Sequence, residues 1–380
     1  MIEPPLAGTA PAISEVDPEL LTAWLAARGE PAYRASQVLA GAHRPTAKGL
    51  DDLTDLPRPL RAAVAEAFRF SSIVGSHTLV ADGGLTAKAV HELADGQRIE
   101  SVLMRYPGRG AGIGRTTICI SSQAGCAVNC PFCATGQAGF ARQLAAGEIV
   151  DQVLHWHRDP WLALGADWRP GGGRSHYNIV FMGMGEPLNN VDRVFTAVRL
   201  LNDPARLGIG ARHITVSTSG VVPGIDRMIE ELPQVNLAIS LHAATDELRN
   251  ELVPINRKWP IAEVVAAGRR FAARTRRRVS LEYVLIDGVN DAAEQAAGLA
   301  ALASGWLCHV NLIPLNPTPG SRWSGTDAAG VRAFTATIEH AGVSVTVRDT
   351  RGREIEAACG QLHAQLAGRP IGAAVPMVSA

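Results

Sequence analysis

Three cysteines in one short stretch, Cys126-Ala-Val-Asn-Cys130-Pro-Phe-Cys133, constrain this chain more than anything else in it. They follow a β-rich run, Thr116 to Ser122. Thiolates so close together converge on a single iron–sulfur cluster, and three ligands leave one iron of a [4Fe–4S] cube open. An open iron takes a substrate or cofactor, so the spacing predicts a reactive cluster rather than an electron wire. Two plainer readings stand beside it. A zinc site would want a fourth Cys or His close by, and three unrelated buried thiols would need no metal at all.

Composition narrows the class. A chain of 380 residues, 47% hydrophobic and 19% charged, has room for one large globular domain and a smaller one. No run of about 18 apolar residues occurs, and the start, Met1-Ile-Glu-Pro-Pro, has neither the basic nor the apolar region of a signal peptide. The expectation is a cytoplasmic protein with no membrane partner. Six cysteines, three of them clustered, argue against a disulfide scaffold and for a reducing compartment. Net charge is zero, so any nucleic-acid site must come from local patches. The clearest is Arg269, Arg270, Arg274 and Arg276-Arg277-Arg278, which an ordinary solvated helix end explains equally well.

Residues 1–12, rich in Pro and Ala, read as a disordered leader. From Asp17 to about Phe70 the apolar residues recur at helical spacing, giving a small helical unit. Three strands follow, 76–80, 85–93 and 97–105, with Ala94-Asp-Gly96 turning the second pair into a hairpin. A Gly-rich connection from Tyr106 to Gly114 comes next. Then strands at 116–121, 177–182, 213–217, 236–241, 279–285 and 309–314 alternate with helices at 147–157, 191–201, 224–232, 261–274 and 292–302. That alternation predicts a parallel sheet with crossover helices, either a barrel or a doubly wound layer. Residues 165–174 read as a loose loop, 343–348 as a last strand, and the tail beyond Leu366 as frayed. The expected domains are 1–72, helical; 73–112, β-hairpin extension and linker; 113–350, α/β core; and 351–380, C-terminal helix and tail.

In parallel α/β folds the chemistry lies beyond the carboxyl ends of the strands. The first end delivers the three cysteines. The second delivers Gly183-Met-Gly185-Glu186-Pro187, whose glycines would let backbone approach a ligand and whose glutamate would accept from an ammonium. An ordinary β–α turn explains that motif about as well. The third and fourth ends carry Ser217-Thr-Ser-Gly220 and Ser240-Leu241-His242, groups suited to a ribose and a carboxylate, and the sixth carries Asn316. Of the other cysteines, spacing reads Cys119 and Cys308 as core residues, while Cys359 falls beside a glycine on a short helix.

The Cys-x3-Cys-x2-Cys spacing with Phe132 before the last cysteine resembles the radical S-adenosylmethionine (SAM) superfamily. The words around Gly29 to Arg34, Leu53 to Pro57 and Thr350 to Leu362 resemble the RlmN-type adenine methyltransferases. The resemblance implies a partial (β/α)6 barrel with the helical unit and hairpin attached. It implies a [4Fe–4S] cluster on Cys126, Cys130 and Cys133, and SAM held by Gly185, Glu186, Ser217, Ser240, Leu241, His242 and Asn316. It implies a methyl-carrying Cys359, a resolving Cys119 that ends in a disulfide with it, and Glu100 as proton acceptor. The implied substrates are 23S rRNA and tRNA, methylated at adenine carbon 2 by a monomer. A low-potential donor such as flavodoxin or ferredoxin would supply the electron. Two rivals remain: a Cfr-type enzyme methylating carbon 8, and a non-catalytic zinc- or cluster-bearing RNA-binding protein.

Overall fold

The computed structural model describes residues 10–108, 114–162, 177–318, 321–348, 352–358 and 360–362. The expectations for the 165–174 loop, for the tail beyond Leu366 and for Cys359 itself fall outside them.

Three helices open the chain: α1 (Pro18–Ala26), α2 (Tyr33–Ala42) and α3 (Arg58–Ala67). The carboxylate of Asp17 caps α1 by accepting from the amides of Glu19 (2.7 Å) and Leu20, with Pro18 in the first turn where no amide bond is lost. Their apolar faces close a separate core of Leu21, Leu25, Val38, Leu39, Leu60 and Val64. Part of the expected leader belongs to this unit. Ala12 and Ile13 are buried, and the Ile13 amide donates to Arg69 O at 2.8 Å. Burial of Ala12, with Arg69 N donating to Pro11 O at 2.9 Å, outweighs the freedom that the Pro/Ala composition had implied. The guanidinium of Arg206, itself wholly buried in the larger domain, donates to the carbonyls of Ser14 (2.9 Å) and Val16.

One ten-stranded sheet forms the rest. Strands β1 (Ile73–Ala81), β2 (Thr86–Leu93) and β3 (Arg98–Tyr106) are antiparallel, and β3 pairs antiparallel with β4 (Arg115–Cys119). The expected hairpin extension is therefore part of the main sheet. A small hairpin, β5 (Gln123–Gly125) with β6 (Phe140–Gln143), brackets the cysteine loop and the one-turn helix α4 (Ala134–Gln137). After α5 (Ala146–His157) come β7 (Asn178–Phe181), α6 (Val191–Asn202), β8 (Ile214–Thr218), α7 (Val222–Glu231), β9 (Asn236–Ser240), α8 (Asp246–Leu252) and α9 (Ile261–Thr275). The chain finishes through β10 (Val279–Leu285), α10 (Ala293–Ala303), β11 (Cys308–Pro314), α11 (Ala328–His340) and β12 (Val345–Val347).

From β4 onward each parallel strand neighbours the one before it, giving the order β4-β7-β8-β9-β10-β11-β12. A doubly wound sheet would reverse direction at a switch point; this one never does. It is barrel-like, with β12 as a seventh parallel strand. Curvature follows from chain length. The amide of Arg348, just past β12, bonds Leu312 O, and that of Gly352 bonds the Asp82 carboxylate beside β2. Four residues span at most about 14 Å, whereas β12 and β2 in a flat sheet would be roughly 38 Å apart. The sheet must curl until its edges approach, and residues 352–358 cross the gap.

Register assigns the two faces. Ile118, Ile179 and Ile214 align, as do Phe181, Val216 and Leu237, and these apolar rows meet the helices. The opposite row, pointing inward, reads Cys119, Val180 and Thr215, then Ser217 beside Ala238, then Ser240, Glu282, Asn311 and Thr346. The interior is polar, so it is built to hold something.

Arg206→Ala removes the donor to the buried carbonyls of Ile13, Ser14 and Val16 and should lower unfolding free energy by about 3 kcal/mol. Urea denaturation, with protease nicking near residue 16 as a local readout, checks this; an unchanged midpoint would show that the arginine does not fasten the helical unit.

Candidate active site

The cysteine loop is held at both ends. Cys126 N donates to Gly139 O (2.8 Å) across the small hairpin, and Cys133 N donates to Cys130 O (3.1 Å). All three thiols are half-buried against one apolar cluster of Val128, Phe132, Leu252, Val253, Val284, Ile286 and Leu315. Burial first, and then the neighbouring thiols, push Cys126 up to about 12 and Cys130 well above the usual thiol range. Three thiolates are untenable here unless a cationic group binds them, which is what a metal cluster supplies. The donor set fits such a group. Among the described residues no three His, Cys, Asp or Glu side chains converge closely enough for a single metal ion.

Arg249, fully buried, is the cation facing this loop. Its guanidinium donates to Leu241 O (2.9 Å), Ser219 O (2.6 Å), Ser240 O (3.2 Å) and Asn256 Oδ1 (2.7 Å). It thus ties the ends of β8 and β9 together, and desolvation lowers it to about 10 despite the pull of Cys130, Asp246 and Glu186.

The Gly183–Pro187 motif behaves differently from expectation. A Cβ on Gly185 (φ +101°) would lie 2.5 Å from Gln123 Cβ, and one on Gly183 would lie 2.7 Å from the Ile120 carbonyl. Close approach is therefore to the chain leaving β4, with Ser122 N donating to Met184 O at 2.8 Å. Glu186 is buried and caps the turn. Its carboxylate accepts from Leu188 N (3.0 Å), Ser219 N (2.6 Å) and Ser219 Oγ (2.7 Å), while desolvation raises its pKa against those bonds. The capping role and the strand-end position are both real.

Ser217 and Ser240 share the inner face at adjacent strand ends. Leu241 uses both backbone groups, its N–H toward Glu282 O (2.9 Å) and its carbonyl toward Arg249. His242 is buried with φ +63°, a left-handed conformation that a non-glycine residue adopts at a cost. Its Nδ1 accepts from Val284 N (3.0 Å), leaving Nε2–H as donor, and Phe132 meets the ring edge-on at 5.2 Å. Burial, with Arg249 adding, lowers its pKa to about 3. Asn316 is buried just past β11.

Glu100 and Cys119 also come together. Val102 sits opposite Cys119, and Glu100 is two residues along the same face, so both point inward. Ser101, pointing the other way, receives Trp156 Nε1–H of α5 at 2.7 Å. Lys88, opposite Val102 on β2, completes the row; its Nζ is 3.1 Å from Glu100 Oε1, with both side chains essentially without exposure. Residues 352–358 cover this row, and 360–362 reach the cysteine loop. Lys88 Nζ donates to Glu356 O (3.4 Å), Ala134 N to Gly360 O (2.7 Å), and Gln361 Nε2 to Pro317 O (2.9 Å). Cys359 lies within this segment in sequence, though outside the described residues.

Among the described residues there is no disulfide: Cys119 is buried, and its implied partner Cys359 lies outside them. The arginine patch lies where α9 leads into the start of β10, at the end of the barrel opposite the cysteines. There Arg270 pairs with Asp226 (2.8 Å) and Arg274 with Glu230 (3.5 Å), which is the solvated-helix arrangement. Lys88 and Arg249 went unnoticed in the sequence. The Ala94–Gly96 turn, which fixes the register, was the signal for Lys88; Arg249 had none, because α8 was not foreseen.

The radical SAM superfamily model matches residues 171–300. A curated relative from Frankia alni, named a dual-specificity RNA methyltransferase RlmN, is 52% identical over 347 residues, covering 90% of this chain and 80% of its own length. One of that name from Thermobifida fusca is 49% identical, covering 93% and 94%. The crystal structure of a radical SAM methyltransferase from Sphaerobacter thermophilus superposes with a TM-score of 0.86 at 46% identity, covering 93% of this chain and 100% of that one.

The histidine gives a test independent of ligand. Unfolded, it protonates near its ordinary 6.5; folded, it stays neutral down to about 3. Between those values the unfolded state binds the extra proton, so stability rises with pH and the gain is complete above the upper one. His242→Gln should flatten that slope by about one proton, about 1.4 kcal/mol per pH unit. Urea titrations at several pH values measure it; an unchanged slope would mean the folded histidine titrates normally.

Proposed function

Because the chain belongs to the RlmN dual-specificity RNA methyltransferase family of the radical SAM superfamily, we infer that it methylates carbon 2 of an adenosine in 23S rRNA and of the adenosine beside the tRNA anticodon. One observation carries the reading: Glu100 and Cys119 share an inward row beneath residues 352–358, which lead into the sequence around Cys359, with the cysteine loop touching the same segment. A [4Fe–4S] cluster with SAM on its open iron supplies, when bound, the radical needed to functionalise an inert methyl group. We assign Cys126, Cys130 and Cys133 as its ligands, and Gly185, Glu186, Ser217, Ser240, Leu241, His242 and Asn316 to SAM.

The protein's own residues divide the remaining work. Adenine carbon 2 is electron-poor and does not displace a methyl group directly, so Cys359 holds the one-carbon unit and presents it to the base. Glu100 takes the proton from carbon 2 of the resulting thioether. Cys119 attacks the thioether sulfur, breaking its bond to the methylene carbon; that carbon takes up the proton given up by the Cys119 thiol to become the methyl group, and a sulfur–sulfur bond with Cys359 remains. The neutral His242, donating through Nε2, and the serine hydroxyls suit the polar groups of a nucleoside. We also propose the division into 1–72, 73–112, 113–350 and 351–380, supported by the separate helical core. The reading includes a cytoplasmic monomer with a flavodoxin- or ferredoxin-like donor; among the described residues no helix is long and apolar enough to cross a membrane.

Cys126→Ala, Cys130→Ala and Cys133→Ala should each lose bound iron and visible absorbance after anaerobic purification. None should restore 2-methyladenosine, measured by mass spectrometry of rRNA and tRNA, to a strain lacking this gene. Full iron in any of them would overturn the ligand assignment. A restored methyl at carbon 8 would overturn the regiochemistry.

A further inference from the structure

The inward row on β2, β3 and β4 holds one charged residue that the scheme above does not use. Lys88 is 2% exposed and its Nζ lies 3.1 Å from Glu100 Oε1, while Glu100 is 0% exposed. Its position is fixed twice by backbone. The β2–β3 register sets it opposite Val102 and diagonal to Glu100, and the β3–β4 register sets Cys119 on the other side of Val102. A third hold comes from the C-terminal segment, since the same ammonium donates to Glu356 O at 3.4 Å, three residues before Cys359 in sequence. That segment is seated on β2 independently of Lys88. Gly352 N donates to the Asp82 carboxylate at 2.8 Å, and a Cβ at Gly352 would lie 2.9 Å from Thr86 Cγ2.

A carboxylate without water or a counter-charge takes up a proton, and a protonated carboxyl cannot accept one from carbon. A cation held at contact distance reverses that preference, and a fixed one also aims the second oxygen. We propose that Lys88 is a positioning residue for the proton-transfer step: it keeps Glu100 ionised and oriented toward the segment that delivers the thioether. This rests on reading Glu100 as the proton acceptor. The proton passes from carbon 2 to the Glu100 carboxylate, and Lys88 itself transfers none.

Two substitutions separate charge from packing. Lys88→Gln keeps a donor toward Glu356 O without charge; Lys88→Arg keeps the charge. The reconstituted holoenzyme is given RNA substrate, SAM and reductant, and two quantities are followed: RNA covalently held on the protein, and methylated RNA released. K88Q should form the protein–RNA adduct but release product at least about 100-fold more slowly, the scale of a lost general base. K88R should release it faster than K88Q, and adding K88Q to Glu100→Gln should slow release no further. Equal release from K88Q and K88R, or a K88Q that forms no adduct, would overturn the assignment of Lys88. E100Q releasing product normally would overturn the reading of Glu100 itself, whatever Lys88 does.

Discussion

The pairing of β3 with β4 is the constraint on which the rest depends. Opposite residues in that ladder share a face, so setting Val102 against Cys119 turns Glu100, Cys119 and, through β2, Lys88 to the inside together. A slip of one residue would put Glu100 and Lys88 on the opposite face of the sheet from Cys119 and break up the row. Outer-face contacts forbid the slip: Trp156 donates to Ser101 Oγ, and His91 Nε2 bonds the same hydroxyl at 2.7 Å. A buried hydrogen-bonded network on one side of the sheet therefore fixes which chemistry appears on the other.

A second set of contacts assembles the strand ends. Glu186, leaving β7, holds Ser219 beyond β8, and Arg249 holds the carbonyls of Ser219, Ser240 and Leu241. Phe132 carries the cysteine loop onto His242. Each side chain satisfies a neighbouring strand end, so the groups assigned to the cofactor move as one body. Such preorganisation is what a site needs to steer a reactive species to one carbon.

Much of this was legible in the sequence because the signals were local. Val/Ile-rich runs gave the parallel strands within a residue or two, and Asp17-Pro18 marked the start of α1. The three-cysteine spacing marked the mouth of the barrel. What escaped was contact between distant segments. Buried Ala12, with Arg69 N bonding Pro11 O, takes the end of residues 1–12 out of an apparently disordered leader, through a partner almost sixty residues away. The Asp327 cap and the Val331, Phe334, Ile338 spacing announce α11, yet the Gly- and Pro-containing stretch before them hid it. The glycines of 183–185 read as ligand-approach residues, and the fold adds a second need for them, close contact with Gln123 and Ile120 some sixty residues earlier. The arginine run read equally as a basic patch or a solvated helix end, and its pairs with Asp226 and Glu230 follow the second reading.

The central claim is that methyl transfer passes through a covalent RNA–protein thioether, which Cys119 resolves. The most direct measurement is the mass of Cys119→Ala purified from cells and digested with nuclease. The account predicts a nuclease-resistant nucleotide adduct on the peptide containing Cys359, because the attacking thiol is gone while the earlier steps remain. A Cys119→Ala protein that turns over normally and carries no adduct would contradict it, since loss of a small buried side chain would then be only a packing change of at most a few kcal/mol.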